Sequence, residues 1–132
     1  MPNRVRAVII QDDKVLTLER KCPDEIFWCF PGGGIEPSDR DEKEALKREC
    51  LEEVGVKVEV GEKIFQQNFK GNLEIFYLCE ISGGKVAKGS GPEYFSQNHY
   101  RGTHQPKWLE IANLGKYDLR PVELRDKVRT RP

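Results

Sequence analysis

Residues 28–56 read WCFPGGGIEPSDRDEKEALKRECLEEVGV, and this stretch decides how the rest of the 132-residue chain is read. An apolar run is stopped by Pro31, and a glycine triplet, Gly32 to Gly34, then gives the backbone freedom that side chains would forbid. Asp41 with Glu44 three residues later forms an Asp version of a capping box, and acidic residues in a first turn suit the positive end of the helix dipole. The pattern predicts a helix from about Asp41 to Val54, with Gly55 as the left-handed residue that ends it.

The far end of that helix is poorly explained as scaffolding. Glu49, Glu52 and Glu53 stand at i, i+3 and i+4, so their side chains share one strip of the surface. Like charges at those spacings cost roughly 0.2–0.5 kcal/mol per pair. Anions in a last turn oppose the helix dipole by roughly 0.3–1 kcal/mol each, and Arg48 offsets only part of this. A solvated acidic face is the plain alternative. A hard divalent cation would repair the arrangement, because Mg²⁺ takes one or a few carboxylates and keeps waters and substrate phosphates as its other ligands.

Arg48-Glu49-Cys50-Leu51-Glu52-Glu53-Val54-Gly55-Val56 resembles the second half of the Nudix box, Arg-Glu-apolar-any-Glu-Glu-any-Gly-apolar. Upstream, Pro31 to Pro37 resembles its glycine-loop half. Counted back from Arg48 at the family's spacing, the glutamate position falls on Arg40 and the glycine on Gly34. One extra loop residue moves these positions to Asp39 and Gly33, which is chemically closer. Either way the departure lies in the loop before the helix, where an insertion is tolerated.

The resemblance implies a mixed-sheet α/β/α sandwich of the α+β class and a hydrolase of phosphoanhydride bonds. It implies that Glu49, Glu52 and Glu53 hold Mg²⁺, with Mn²⁺ as the alternative ion, that one of these three carboxylates serves as base instead, and that Arg48 orients the cluster. Gly33 and Gly34 belong to the same site. Glu93 is a further candidate base or ligand, since many members recruit a carboxylate from a loop after the box; a solvated loop residue is the other reading. The expected substrate is a nucleoside diphosphate linked to another moiety. Two other classes compete: a non-catalytic module that binds or senses a nucleotide, and an acidic helix that mediates protein contact.

Composition bounds these readings. With 22 basic and 22 acidic residues the net charge is zero, so no overall positive field attracts a nucleic-acid backbone, and duplex binding is not expected. Cys22, Cys29, Cys50 and Cys79 match no CxxC zinc spacing and read as reduced, mostly buried small hydrophobes. The start, MPNRVRAVII, is unlike a signal peptide, and no apolar run is long enough to span a bilayer, so no membrane partner and a cytoplasmic location are expected. The length fits a single domain over residues 1–132.

Along the chain, Val5 to Ile10 and Val15 to Glu19 read as strands joined by a hairpin turn, and Phe27 to Phe30 as a short third strand. Val56 to Val60, Lys63 to Phe69 and Leu73 to Ile81 read as further strands, the last two joined by Lys70-Gly71-Asn72. Lys107 to Ile111 returns to strand character, and Pro121 suits the first turn of a closing helix to about Arg129, with Val122, Leu124 and Val128 facing inward. Gly83 to Gln105 is long, polar and glycine-rich, the kind of loop that carries function.

That loop holds His99 and His104, which read as substrate-edge or solvent-facing residues, since no cysteine or third histidine stands near them. Arg20, closing the second strand, is a candidate for substrate phosphate. Trp28 and Trp108 suit base stacking or the core. A P-loop is excluded, because Gly84-Lys85 is followed by Val86.

Overall fold

The structure is a computed structural model describing residues 3–87 and 102–131. The chain starts with β1 (Arg4–Gln11) and β2 (Lys14–Lys21), and then β3 (Ile26–Cys29) and β4 (Gly32–Gly34) lead into α1 (Glu42–Val54). After it come β5 (Val56–Phe69), β6 (Asn72–Gly84) and β7 (Gln105–Glu110). A 3₁₀ helix (Ile111–Lys116), β8 (Leu119–Arg120) and α2 (Val122–Arg129) follow. The sheet runs β5-β6-β1-β2-β3-β8, with β4 beside β1 and β7 beside β2. The β1–β6 and β3–β8 pairs are parallel and the others antiparallel, so the sheet is mixed.

The alternation of β1 explains the layers. Val5, Ala7 and Ile9 pack on Ala45, Leu46, Cys50 and Val54 of α1. Val8 faces the other way, into a cluster with Phe30, Phe76, Leu114, Leu124 and Val128 that includes α2. Successive strand residues point to opposite faces, so β1 is covered on both sides and the α/β/α sandwich expected from the sequence follows. Arg6 shares the α2-side face and is the charged interruption of an otherwise apolar strand.

The helix caps form where they are expected. Asp41 is the N-cap and its Oδ1 accepts from the Glu44 amide at 2.8 Å, while Gly55 ends the helix at φ 77°. Tyr77 on β6 ties the start of α1 to the sheet by donating its hydroxyl to Glu42. Burial, with Glu42 as acceptor, pushes that phenol up to about 12.

Several details differ from the reading of the sequence. Gly83 and Gly84 pair within β6 and Gln105 opens β7, so the ends of the expected Gly83 to Gln105 loop belong to the sheet, and residues 88–101 of it lie outside the described residues. Val56 to Phe69 is one long strand rather than two, because an irregularity between Val60 and Lys63 absorbs the apparent break without ending the β6 pairing. The hairpin after it turns on Lys70 and Gly71 alone, both at positive φ, and Asn72 already belongs to β6. Val122 is 47% exposed, so only Leu124 and Val128 of α2 face inward. The cysteines are free thiols, Cys50 and Cys79 buried, Cys22 and Cys29 half-buried. Among the described residues no helix is long and apolar enough to cross a membrane.

Candidate active site

β4 packs against the last turns of α1, and two of the three glutamates, Glu49 and Glu53, meet the glycines there. Gly32 sits at φ 150°, and a Cβ on it would lie 2.0 Å from the Val5 carbonyl oxygen, so only glycine lets β4 lie this close to β1. That approach aims the Gly32 amide at α1, where it donates to Glu53 Oε1 at 2.8 Å. Glu53 is 6% exposed, a buried carboxylate held by a backbone donor. Gly33 faces Glu49: a Cβ there would lie 2.5–2.8 Å from the Glu49 carboxylate atoms, so the missing side chain is the seat of that group. Glu52 is 36% exposed and reaches solvent.

Arg48 knits these parts together. Its Nε and Nη2 each donate to one Asp39 oxygen at 2.9 Å, a bidentate pair. Nη2 also donates to the Gly34 carbonyl at 3.1 Å, and Nη1 donates to Glu49 Oε1 at 3.0 Å and Glu52 Oε2 at 3.2 Å. The hydrogen bonds from Arg48 hold the Asp39 carboxyl below its ordinary pKa, although desolvation pulls the other way, and the same pair raises the guanidinium. Asp39 Oδ2 also accepts from the Glu36 amide at 2.8 Å, which closes the loop on itself. The acid partner of Arg48 is therefore Asp39, and Arg40 is not used in that position.

The sequence candidates divide accordingly. Arg48, Glu49, Glu52, Glu53, Gly33 and Gly34 come together at one site, with the glycines turned toward α1. Arg20 lies outside this cluster: its Nε donates to the Thr103 carbonyl at 3.0 Å and so helps hold the segment just before β7. His104 is in that same half-buried segment. Glu93 and His99 lie outside the described residues. Trp28 stacks edge-on against Tyr117 at 4.9 Å in the α2-side core, and Trp108 packs against the α1-side core, so both tryptophans act as core residues.

The donor set fits a hard divalent ion, since it consists of carboxylate oxygens seated on a glycine strand. Among the described residues no group of three or more His, Cys, Asp or Glu side chains is placed to hold a metal ion. A cation that keeps several waters and shares substrate phosphates does not require such a group.

Two further features belong near the site. Gly32 supplies the donor to Glu53. An open cavity of about 560 Å³ lies on the α2-side face, lined in part by Arg6, Arg20, Phe27, Cys29, Glu74 and Arg120. Arg20, a candidate for substrate phosphate in the sequence, lines this cavity.

The family model for the NUDIX domain matches residues 1–124. The chain is 39% identical over 76 residues to a CTP pyrophosphohydrolase of Escherichia coli (strain K12), an alignment covering 56% of each protein. It is 32% identical over 82 residues to a MutT-like protein of Streptomyces ambofaciens, covering 61% of this chain and 52% of that one. The chain thus spans little more than half the length of these curated relatives. The solution structure of the E. coli ORF135 protein superposes with a TM-score of 0.64 at 26% identity, over 92% of this chain and 82% of that one.

Proposed function

From the premise that the chain belongs to the Nudix family, we propose that it is a hydrolase of phosphoanhydride bonds, cleaving a nucleoside diphosphate linked to another moiety. The products are a nucleoside monophosphate and either a phosphorylated remainder or pyrophosphate. The family acts on small nucleotide-type substrates, and its hydrolases use divalent metal ions. The observation that carries the reading is the seating of Glu49 and Glu53 on Gly33 and Gly32, with Arg48 joining Glu49, Glu52 and Asp39.

In this reading Glu49, Glu52 and Glu53 would hold Mg²⁺, or Mn²⁺ in its place. When bound, such an ion supplies charge neutralisation for the leaving phosphate and makes a nucleophilic water available near neutral pH. Glu52, the most exposed of the three, is the carboxylate best placed to take a proton from water. Glu53 is oriented by the Gly32 amide, and Glu49 by Arg48 and the space above Gly33. Arg48 positions the carboxylates. Its bidentate grip on Asp39 fixes the loop that carries β4 into place. The protein would work as one domain in the cytoplasm, with neither duplex nucleic acid nor membrane as a partner.

The test is hydrolysis of a panel of nucleoside triphosphates, ADP-ribose, dinucleoside polyphosphates and oxidised nucleotides, with Mg²⁺ and with chelator. The expected result is release of a nucleoside monophosphate from at least one of them, abolished by the chelator. Tight nucleotide binding with no turnover under any divalent ion would instead identify a sensing module. The similarity to a CTP pyrophosphohydrolase supports placing the nucleoside triphosphates first in the panel.

A further inference from the structure

The cavity beside the carboxylate cluster carries a feature that hydrolysis alone does not require. Its inner wall adjoins the active strand: Arg6 pairs with Gly32 across β1 and β4, and its Nη1 donates to the Phe30 carbonyl at 2.8 Å. At the mouth, the Arg120 guanidinium carbon lies 4.1 Å above the centroid of the Phe27 ring. Two carboxylates fix it there. Asp118 accepts from Nε at 3.2 Å and from Nη2 at 2.9 Å, and Glu25 accepts from Nη2 at 2.7 Å.

This arrangement is unlike a phosphate clamp, because the charge of Arg120 is already met by two anions on one edge. The side chain is nevertheless 44% exposed, and among the described residues its Nη1 donates to nothing. What remains available is a flat, weakly hydrated plane with the two N–H groups of Nη1, and such a plane lets arginine stack on planar rings. The polar floor completes the pocket: Glu74, 5% exposed, accepts from Arg6 Nε at 2.6 Å and from Gln67 Nε2 at 2.7 Å. A planar heterocycle with hydrogen-bonding edges suits such a shelf and floor better than a sugar or an aliphatic group does.

We propose that Arg120, held over Phe27 at the mouth of this cavity, is a specificity-determining residue that stacks on the nucleobase of the substrate. The proposal rests on the nucleotide reading of the site, and its test measures binding without turnover, so the two fail separately.

Equilibrium dialysis of the full chain is carried out with the four common ribonucleoside monophosphates and with ribose phosphate, which has no base. The wild type is expected to hold at least one nucleotide about five- to hundredfold more tightly than ribose phosphate, the range that stacking supplies. Arg120→Ala should remove most of that margin while leaving ribose phosphate binding unchanged. Arg120→Lys, which keeps the charge and loses the plane, should behave like the alanine variant. Both variants alter an exposed side chain, and an unchanged Tm verifies that they fold. Equal weakening of nucleotide and ribose phosphate would make Arg120 an anion contact and overturn the proposal. It is also overturned by a margin that survives in either variant, or by no margin in the wild type. A base-dependent margin without hydrolysis of any nucleotide would leave Arg120 in its role and remove the hydrolase reading alone.

Discussion

Gly32 and Gly33 are adjacent residues whose small size serves two different ends. At Gly32 a Cβ would run into the backbone of Val5 and Arg6, and the positive φ adds strain, so nothing there can yield. At Gly33 the obstacle is the flexible end of Glu49, which can swing aside. Gly33→Ala is therefore expected to leave Tm within about 4 °C of wild type. It should also lower kcat by about ten- to hundredfold, as losses of supporting groups around metal ligands typically do. Thermal melts and steady-state rates on the same preparation check this. An unfolded Gly33→Ala protein, or one of full activity, would mean that Glu49 is not seated where the structure has it. The glycine triplet itself was visible in the sequence. Which glycine faced which glutamate was not, because that depends on β4 lying beside β1.

At the scale of the element, α1 is a helix whose ends were legible and whose attachment was not. Its N-cap and its terminal glycine are local features, formed by residues within a turn of each other, and they stand where the capping pattern put them. The family's glutamate position lay open between Arg40 and Asp39, because a loop of free conformation precedes the helix. The bidentate contact pairs Arg48 with Asp39 and leaves Arg40 out of the cluster. This clasp has a pH signature. Asp39 titrates below its ordinary value of about 3.9, first because of Arg48, so its contribution to stability is present in full above that pH. It is lost as pH falls through the lower folded-state value. Asp39→Asn should destabilise the protein by about 1–3 kcal/mol at neutral pH, and the difference from wild type should shrink below about pH 4. Urea titrations across that range measure it. A difference that persists unchanged into acid would show that the ionised pair is not what holds the loop.

The whole molecule brings together what the chain keeps far apart. The mixed sheet lays the glycine strand beside the central strand, where it also touches α1, and it gathers the cavity from residues at both ends of the described chain. The class of fold was readable from the order of apolar runs and the box-like stretch. The β3–β8 pairing was not, since β8 is two residues long and carries no periodicity of its own. The Arg120 shelf escaped for the same reason: its partners Phe27 and Glu25 come from the other end of the sequence. Central to the account is the claim that the buried carboxylate on Gly32 works as an ionised group. Glu53→Gln isolates that claim, because an amide oxygen can still accept from the Gly32 amide and keep β4 in place. The decisive measurement is kcat of Glu53→Gln beside its Tm: a loss of about a hundredfold or more with an unchanged melt is predicted, and wild-type turnover by a folded Glu53→Gln protein would contradict it.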